Sequence, residues 1–190
     1  PFPAYGPDRR LLGCPGASGN KHAGKVEWVG NPLREDIIAV PPPEQRLAGR
    51  HGTLTLLVVG GSLGATALNE RVPAALALIE RELRPHVVHQ AGDRHIDALR
   101  RAYEAASVEA VCLPFIDDIA RHYADADLVI CRGGALTISE LAAIGVGSVI
   151  VPLPGAFANE QARNGQFLVD AGAAIMLRQN AMTAPALADL

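Results

Sequence analysis

From residue 53 onward the chain alternates short unbroken apolar runs with longer stretches in which apolar positions recur every three or four residues. "TLTLLVVGG" is such a run, closed by glycines. A strand with one wet face would alternate apolar and polar positions, so a continuous run predicts a strand buried on both faces. The next segment, "GATALNERVPAALALIERELR", has helical spacing. "PHVVHQ" predicts a second strand, followed by a helix from about Ile96 to Ala106. "VEAVCLPF", "DLVICR" and "GSVIVPL" predict three more strands, separated by helical stretches beginning near Asp117, Ala135 and Asn159, and "AAIMLR" a sixth.

Buried strands alternating with helices imply an α/β domain with a parallel sheet covered on both faces. Right-handed crossovers then give a Rossmann-like, doubly wound domain with the strand order 3-2-1-4-5-6. Ligands of such folds bind beyond the carboxyl ends of the strands, where the winding reverses between strand 1 and strand 4. Function is therefore expected on the loops that follow the strands.

Residues 1–50 lack this rhythm. "PFPAYGPDRRLLGCPGASGN" and "VPPPEQRLAGR" are rich in proline and glycine and predict a linker or arm. The exception is a short apolar strand near residues 26–29, which Asn31-Pro32 should break into a turn. The chain opens at Pro1 without methionine and ends within a helical pattern at Leu190, which predicts a piece of a longer protein.

Composition narrows the classes of function. At 49% apolar and 19% charged residues the chain is globular, and a net charge of −3 gives no basic footprint for nucleic acid. Lys21 and Lys25 are the only lysines, while arginine is plentiful. The three cysteines, Cys14, Cys112 and Cys131, form no C-x-x-C pair and no cluster with histidine at metal spacing, so reduced thiols in a cytosolic protein are expected. No run reaches the roughly 18 apolar residues of a spanning helix. His86 and His89 fall in the second strand and the other histidines are scattered, so all six are expected to be structural or surface residues.

Four loops carry candidate chemistry. "GGSLGA", Gly60 to Ala65, joins strand 1 to a helix whose free amides and partial positive charge suit a phosphate, with Ser62 offering a hydroxyl. Its spacing is not G-x-G-x-x-G, and "VVHQAG" puts no acid at the end of strand 2, so a dinucleotide site is disfavoured. "PFIDD" closes strand 3, where Asp117 and Asp118 read as helix-start residues and the backbone of Phe115 and Ile116 as a reader of a base edge. "CRGGALTISE" follows strand 4. Gly133 and Gly134 present amides, Thr137 and Glu140 share one helical face, and Leu136, Leu141 and Ile144 are expected on the core side. Glu140 reads either as a helix residue compensating the dipole or as an acceptor for two vicinal ribose hydroxyls. In the last loop, "PGAFANEQARNGQFL", Gln161 and Asn164 lie three apart, as surface amides or as partners for sugar hydroxyls.

Together, "GNPLR", "LLVVGGSLGA", "HQAG", "PFIDDIARHYADADLVICRGGALTISELAAIGVGSVIVPLP" and "NEQARNGQFLVDAGAA" closely resemble the carboxyl-terminal half of the MurG family, over about residues 26 to 178. "ALTISE" is the most specific part. The resemblance implies the GT-B architecture, two Rossmann-like domains around a cleft, with residues 51–190 as the UDP-GlcNAc-binding domain and its terminal helices cut off. It implies inverting transfer of GlcNAc from UDP-GlcNAc to lipid I, giving lipid II for peptidoglycan.

Residue by residue, the resemblance implies that Arg34 and Ser62 contact the donor and that Ile116 pairs with uracil through its main chain. Ala135, Leu136, Thr137, Ile138, Ser139 and Glu140 would surround the diphosphate and ribose, with Glu140 on the ribose hydroxyls. Gln161 would hold the GlcNAc hydroxyls with Asn164 close by, Glu160 being the other candidate for that glutamine. Two positions depart from the family: Leu63, where a polar residue is common, and Gly133, where serine is common. The acceptor site, the base and the membrane-associating patch belong to an amino-terminal domain without a counterpart here. Peripheral association with the cytoplasmic face of the bacterial inner membrane is implied for the whole enzyme, and a soluble cytoplasmic fragment for this chain. No cofactor and no Asp-x-Asp metal site are expected, the diphosphate charge being balanced by backbone dipoles and Arg34. A second reading is a non-catalytic sugar-nucleotide-binding module that needs a partner chain.

Overall fold

The computed structural model describes residues 31–61, 65–155 and 158–190. Six parallel strands form one sheet in the order β3-β2-β1-β4-β5-β6, as the pattern predicts. They are β1 Thr55–Val59, β2 His86–Gln90, β3 Val111–Leu113, β4 Leu128–Cys131, β5 Gly147–Ile150 and β6 Ala174–Met176. The helices between them are α3 Thr66–Ala77, α4 Ile96–Ala105, α5 Ile119–Asp125, α6 Ala135–Ile144 and α7 Ala158–Asp170, with α8 Ala184–Ala188 last. β1 pairs with β2 on one side and with β4 on the other, so the winding reverses between β1 and β4.

Side chains alternate across each strand, and the two faces bury separate cores. Leu56 and Val58 face Leu68, Val72 and Leu76 of α3 and Leu99 of α4. Leu57, Val129, Cys131 and Ile150 face Ile138, Leu141 and Ile144 of α6, Tyr123 of α5 and Leu168 of α7. Burial pushes the Cys131 thiol up to about 12, so it packs as a small apolar group.

Two differences from the sequence pattern have local causes. The helical spacing runs on to Arg84, yet α3 ends at Ala77, and a single 3-10 turn at Arg81–Leu83 leads into β2. The Arg84 guanidinium takes up the freed carbonyls, bonding Ala77 O and Ile79 O at 3.3 and 3.0 Å. Within the expected arm, residues 31–50 hold two four-residue helices, α1 Glu35–Ile38 and α2 Pro43–Arg46. Such helices are too short to show a period, and each is held by one side chain. Ile37 is 1% exposed in the α5–α6 core, and Arg46 bonds the carbonyls of Ala124, Ala126 and Gly145. The strand expected near residues 26–29 lies outside the described residues.

Arginine thus works as a cap for loop and helix-end carbonyls. Arg71 bonds Gln179 O and Met182 O, and Arg132 bonds Val151 O and the Gln179 side chain. Five donors in a rigid fork suit this role, which a lysine ammonium cannot fill.

Candidate functional site

The loops after β1, β3, β4 and β5 gather at the carboxyl edge of the sheet. Of the helices that begin there, α3 follows β1 and α6 follows β4, one on each side of the reversal. Among the described α-helices these are the ones that start with neither a side-chain cap nor an acidic residue in the first turn. The others have Asp118 or Thr183 as a cap, or acids such as Glu35, Glu44, Asp97 and Glu160. Uncapped amides with no competing carboxylate are what an anion requires, and both point at the switch between β1 and β4. Ser62, in the loop before α3, lies outside the described residues.

At the start of α6, Gly134 is the N-cap and offers no side chain. The Gly133 amide is not free, contrary to expectation: it donates to Gln161 Oε1 at 3.3 Å, an oxygen that also accepts from Leu153 N at 2.8 Å. Asn164 Nδ2 donates to Gly133 O at 3.0 Å. Gln161 and Asn164 therefore knit the first turns of α7 to the α6 loop. A Cβ on Gly133 would lie 2.4 Å from Gln161 O, so glycine permits the close approach. Glu160 points outward and is exposed, leaving Gln161 as the amide on the loop side.

Along α6 the expected face is formed by Thr137 and Glu140, both half-buried. Leu136 corrects the reading that placed it with the core, since it is 57% exposed. Two residues before Ile138, it projects roughly 200° around the helix from that buried residue. Ile138, at 4%, and Ser139, at 3%, are buried instead. The Ser139 hydroxyl donates to Ala135 O at 2.9 Å and accepts from Asn31 Nδ2 at 2.9 Å. This contact ties the "GNPLR" segment onto α6.

The tie brings Arg34 and Glu140 into one electrostatic neighbourhood. Partial burial raises the Glu140 carboxyl, a Tyr123 hydrogen bond and the Arg34 charge lower it, and Asp36 raises it again. Tyr123 Oη donates to Glu140 Oε2 at 3.3 Å. Arg34 is itself held by Asp36, with Nε on Oδ1 at 3.1 Å and Nη2 on Oδ2 at 2.8 Å. In the β3–α5 loop Phe115 is 60% exposed, Ile116 is buried by its side chain, and Asp118 caps α5 by accepting from Arg121 N.

Asn31, Asp36, Gln90 and Tyr123 touch this site without having been expected there. Asn31 reads as a turn residue, Tyr123 carries no signal of its own, and Gln90 stands where an acid would mark a dinucleotide site. The triplet Asp125-Ala126-Asp127 has Asp-x-Asp spacing, contrary to the expectation that no such motif occurs, but it precedes β4 at the opposite edge of the sheet. There Asp127 bonds Arg50 and Thr55 N. Among the described residues no group of three His, Cys, Asp or Glu is placed to hold a metal.

A doubly wound sheet with uncapped helix starts at its switch point is the arrangement of a domain that binds a phosphorylated ligand. The chain belongs to glycosyltransferase family 28, its residues 55–189 matching the C-terminal domain of that family. A relative from Aromatoleum aromaticum, named UDP-N-acetylglucosamine–N-acetylmuramyl-(pentapeptide) pyrophosphoryl-undecaprenol N-acetylglucosamine transferase, is 57% identical over 87% of this chain and 46% of its own length. The crystal structure of Acinetobacter baumannii MurG matches with a TM-score of 0.74 and 41% identity, over 80% of this chain and 44% of that one. The glycotransferase of kitacinnamycin matches at a TM-score of 0.56 and 25% identity, over 75% and 34%. The chain spans about half the length of the relatives it matches.

Proposed function

We propose that this chain is the donor-binding half of an inverting glycosyltransferase that moves GlcNAc from UDP-GlcNAc to lipid I, forming lipid II in peptidoglycan synthesis. One observation carries the reading: α3 and α6 both start uncapped at the β1–β4 switch, with Glu140 one turn further along α6. The family relationship supports the choice of UDP-GlcNAc over other anions.

The diphosphate meets the α6 amides of Ala135 to Thr137, and Arg34 adds a positive charge. Ile116 offers its main chain to uracil, and Glu140 accepts from the two ribose hydroxyls. Gln161 already spends its carbonyl oxygen on Gly133 and Leu153, so its NH₂ group is the end that faces the sugar. As the glycosidic bond to UDP breaks, negative charge grows on the diphosphate, and preorganised amides and the helix dipole stabilise it without reorganising. The acceptor hydroxyl must lose a proton to a base. That base, lipid I and the peripheral hold on the cytoplasmic face of the membrane belong to the remainder of the protein. Among the described residues no helix is long and apolar enough to cross a membrane.

The test is a titration of the chain with UDP-GlcNAc, UDP and NADH, repeated with Glu140→Ala. UDP-GlcNAc and UDP should bind, NADH should not, and the substitution should weaken both by roughly tenfold or more, the loss expected for hydrogen bonds to a charged group. Undetectable UDP binding, or binding indifferent to Glu140, overturns the reading.

A further inference from the structure

Gln90 ends β2 between two strands, level with Val59 of β1 and Leu113 of β3. Its side chain is 4% exposed, and its amide makes three hydrogen bonds, all to backbone. Oε1 accepts from Gly61 N at 3.0 Å, and Nε2 donates to Gly61 O at 3.1 Å and to Pro114 O at 3.2 Å. Gly61 opens the loop before α3 and has φ +85°, a conformation that side chains other than glycine's rarely adopt. Pro114 immediately precedes Phe115 and Ile116.

One planar amide therefore spans the two loops that, in the donor reading, meet opposite ends of the nucleotide. The set of one acceptor and two donors is peculiar to glutamine at this reach. Glutamate has no donor when ionised, methionine has neither donor nor strong acceptor, and asparagine is one methylene short. Neighbouring backbone pairs reinforce the frame, with Gly60 N on Gln90 O at 3.4 Å and Gly92 N on Pro114 O at 3.1 Å.

We infer that Gln90 is a positioning residue that fixes the phosphate-side loop at Gly61 against the base-side loop at Pro114, so that a uridine diphosphate is met by both at once. It touches no substrate and acts through Gly61 and Pro114. The inference rests on the donor-binding reading. Removing the clasp takes the side-chain partner from Gly61 N and Gly61 O and leaves Pro114 O with Gly92 N alone, so the two loops are no longer tied to each other.

Gln90→Met in the 190-residue chain, measured beside the wild type and Glu140→Ala, tests it. Uridine and UDP-GlcNAc should each bind roughly tenfold more weakly, the scale of one or two lost hydrogen bonds. Gln90→Glu supplies a readout that general loosening would not give. Ionised, its carboxylate faces two carbonyl oxygens. Protonated, it regains an acceptor and one donor, so its affinity relative to wild type at the same pH should recover as pH falls from 8 toward 5, about the range of a carboxyl raised by burial. Gln90→Glu also carries the test at low pH if Gln90→Met does not fold. Wild-type affinity in Gln90→Met, weakening for UDP-GlcNAc but not uridine, or a flat pH profile in Gln90→Glu overturns the inference while the donor reading stands. A wild-type chain that binds no uridine nucleotide overturns both.

Discussion

The phenol of Tyr123 and the carboxylate of Glu140 meet at 3.3 Å across the packed faces of α5 and α6. Tyr123 is 1% exposed and its ring packs in the apolar core, with Glu140 as the side chain that accepts from its hydroxyl. Burial raises the Tyr123 phenol well above its usual range and the adjacent carboxylate raises it further, so the phenol donates at any ordinary pH. The hydrogen bond holds one carboxylate oxygen toward the core and leaves the other for a ligand.

Tyr123→Phe should therefore weaken UDP binding about three- to tenfold with little change in the fold, because the ring remains and only the donor is lost. The Glu140 carboxyl should rise further, since the hydrogen bond lowers it. Calorimetric titration of UDP against the variant checks the affinity, and carboxyl NMR shifts check the protonation. Unchanged affinity would show that Glu140 needs no support from α5.

Asp36 competes for the arginine assigned to the donor. The Arg34–Asp36 pair is about half exposed on both sides, so it contributes at most about 1 kcal/mol. Asp36→Asn keeps an oxygen for the Ile37 amide, which Asp36 Oδ1 accepts at 2.9 Å, but releases the guanidinium. UDP-GlcNAc affinity should rise by up to roughly fivefold, most clearly at low salt. A fall in affinity would mean that Asp36 orients Arg34 for the donor.

Glu140→Gln separates stability from binding. The native carboxyl is raised, so between its unfolded and native values the native state binds more protons and stability falls as pH rises. At neutral pH the ionised, half-buried group is therefore a small cost to stability. The amide should melt at an equal or higher temperature than wild type at pH 7.5 while binding UDP more weakly. A lower melting temperature would show that the Tyr123 contact needs the charge.

These predictions depend on contacts that the sequence leaves mostly hidden. Strand order and the site's place at the β1–β4 switch are legible because Leu56 to Val59 and Leu128 to Cys131 read as unbroken apolar runs. Thr137 and Glu140 are legible as one helical face. Asn31 and Ser139, by contrast, are 108 positions apart, and nothing local in "GNPLR" tells a turn asparagine from one that reaches a distant hydroxyl. Leu136 reads as core because leucine usually is, but it stands beyond the end of β4, where no sheet remains to cover it. Gln90 reads only as the absence of an acid, and its three partners depend on how two loops fold back over one strand end.

His89 gives the stability of the domain a pH dependence of its own. It is fully buried between Tyr103, whose hydroxyl lies 2.9 Å from Nδ1, and Asn69, whose Oδ1 lies 3.1 Å from Nε2. Asn69 in turn donates to Ala91 O at 3.3 Å, so β2, α3 and α4 share one polar network inside an apolar core. The phenol donating to Nδ1, and Nε2–H donating to the amide oxygen, require the neutral ring. Burial lowers its pKa to about 3, whereas an unfolded histidine titrates near 6.5. Between those values the unfolded state binds the extra proton, so stability rises with pH through that window and is lost as pH falls below about 6.5. The slope from this group is at most about 1.4 kcal/mol per pH unit, so moving from pH 7 to pH 5 should cost about 2 kcal/mol. Urea unfolding at the two pH values measures the loss. In His89→Gln, which has no titrating ring, the difference should shrink by most of that amount. A variant with the full wild-type slope would place the titrating group elsewhere.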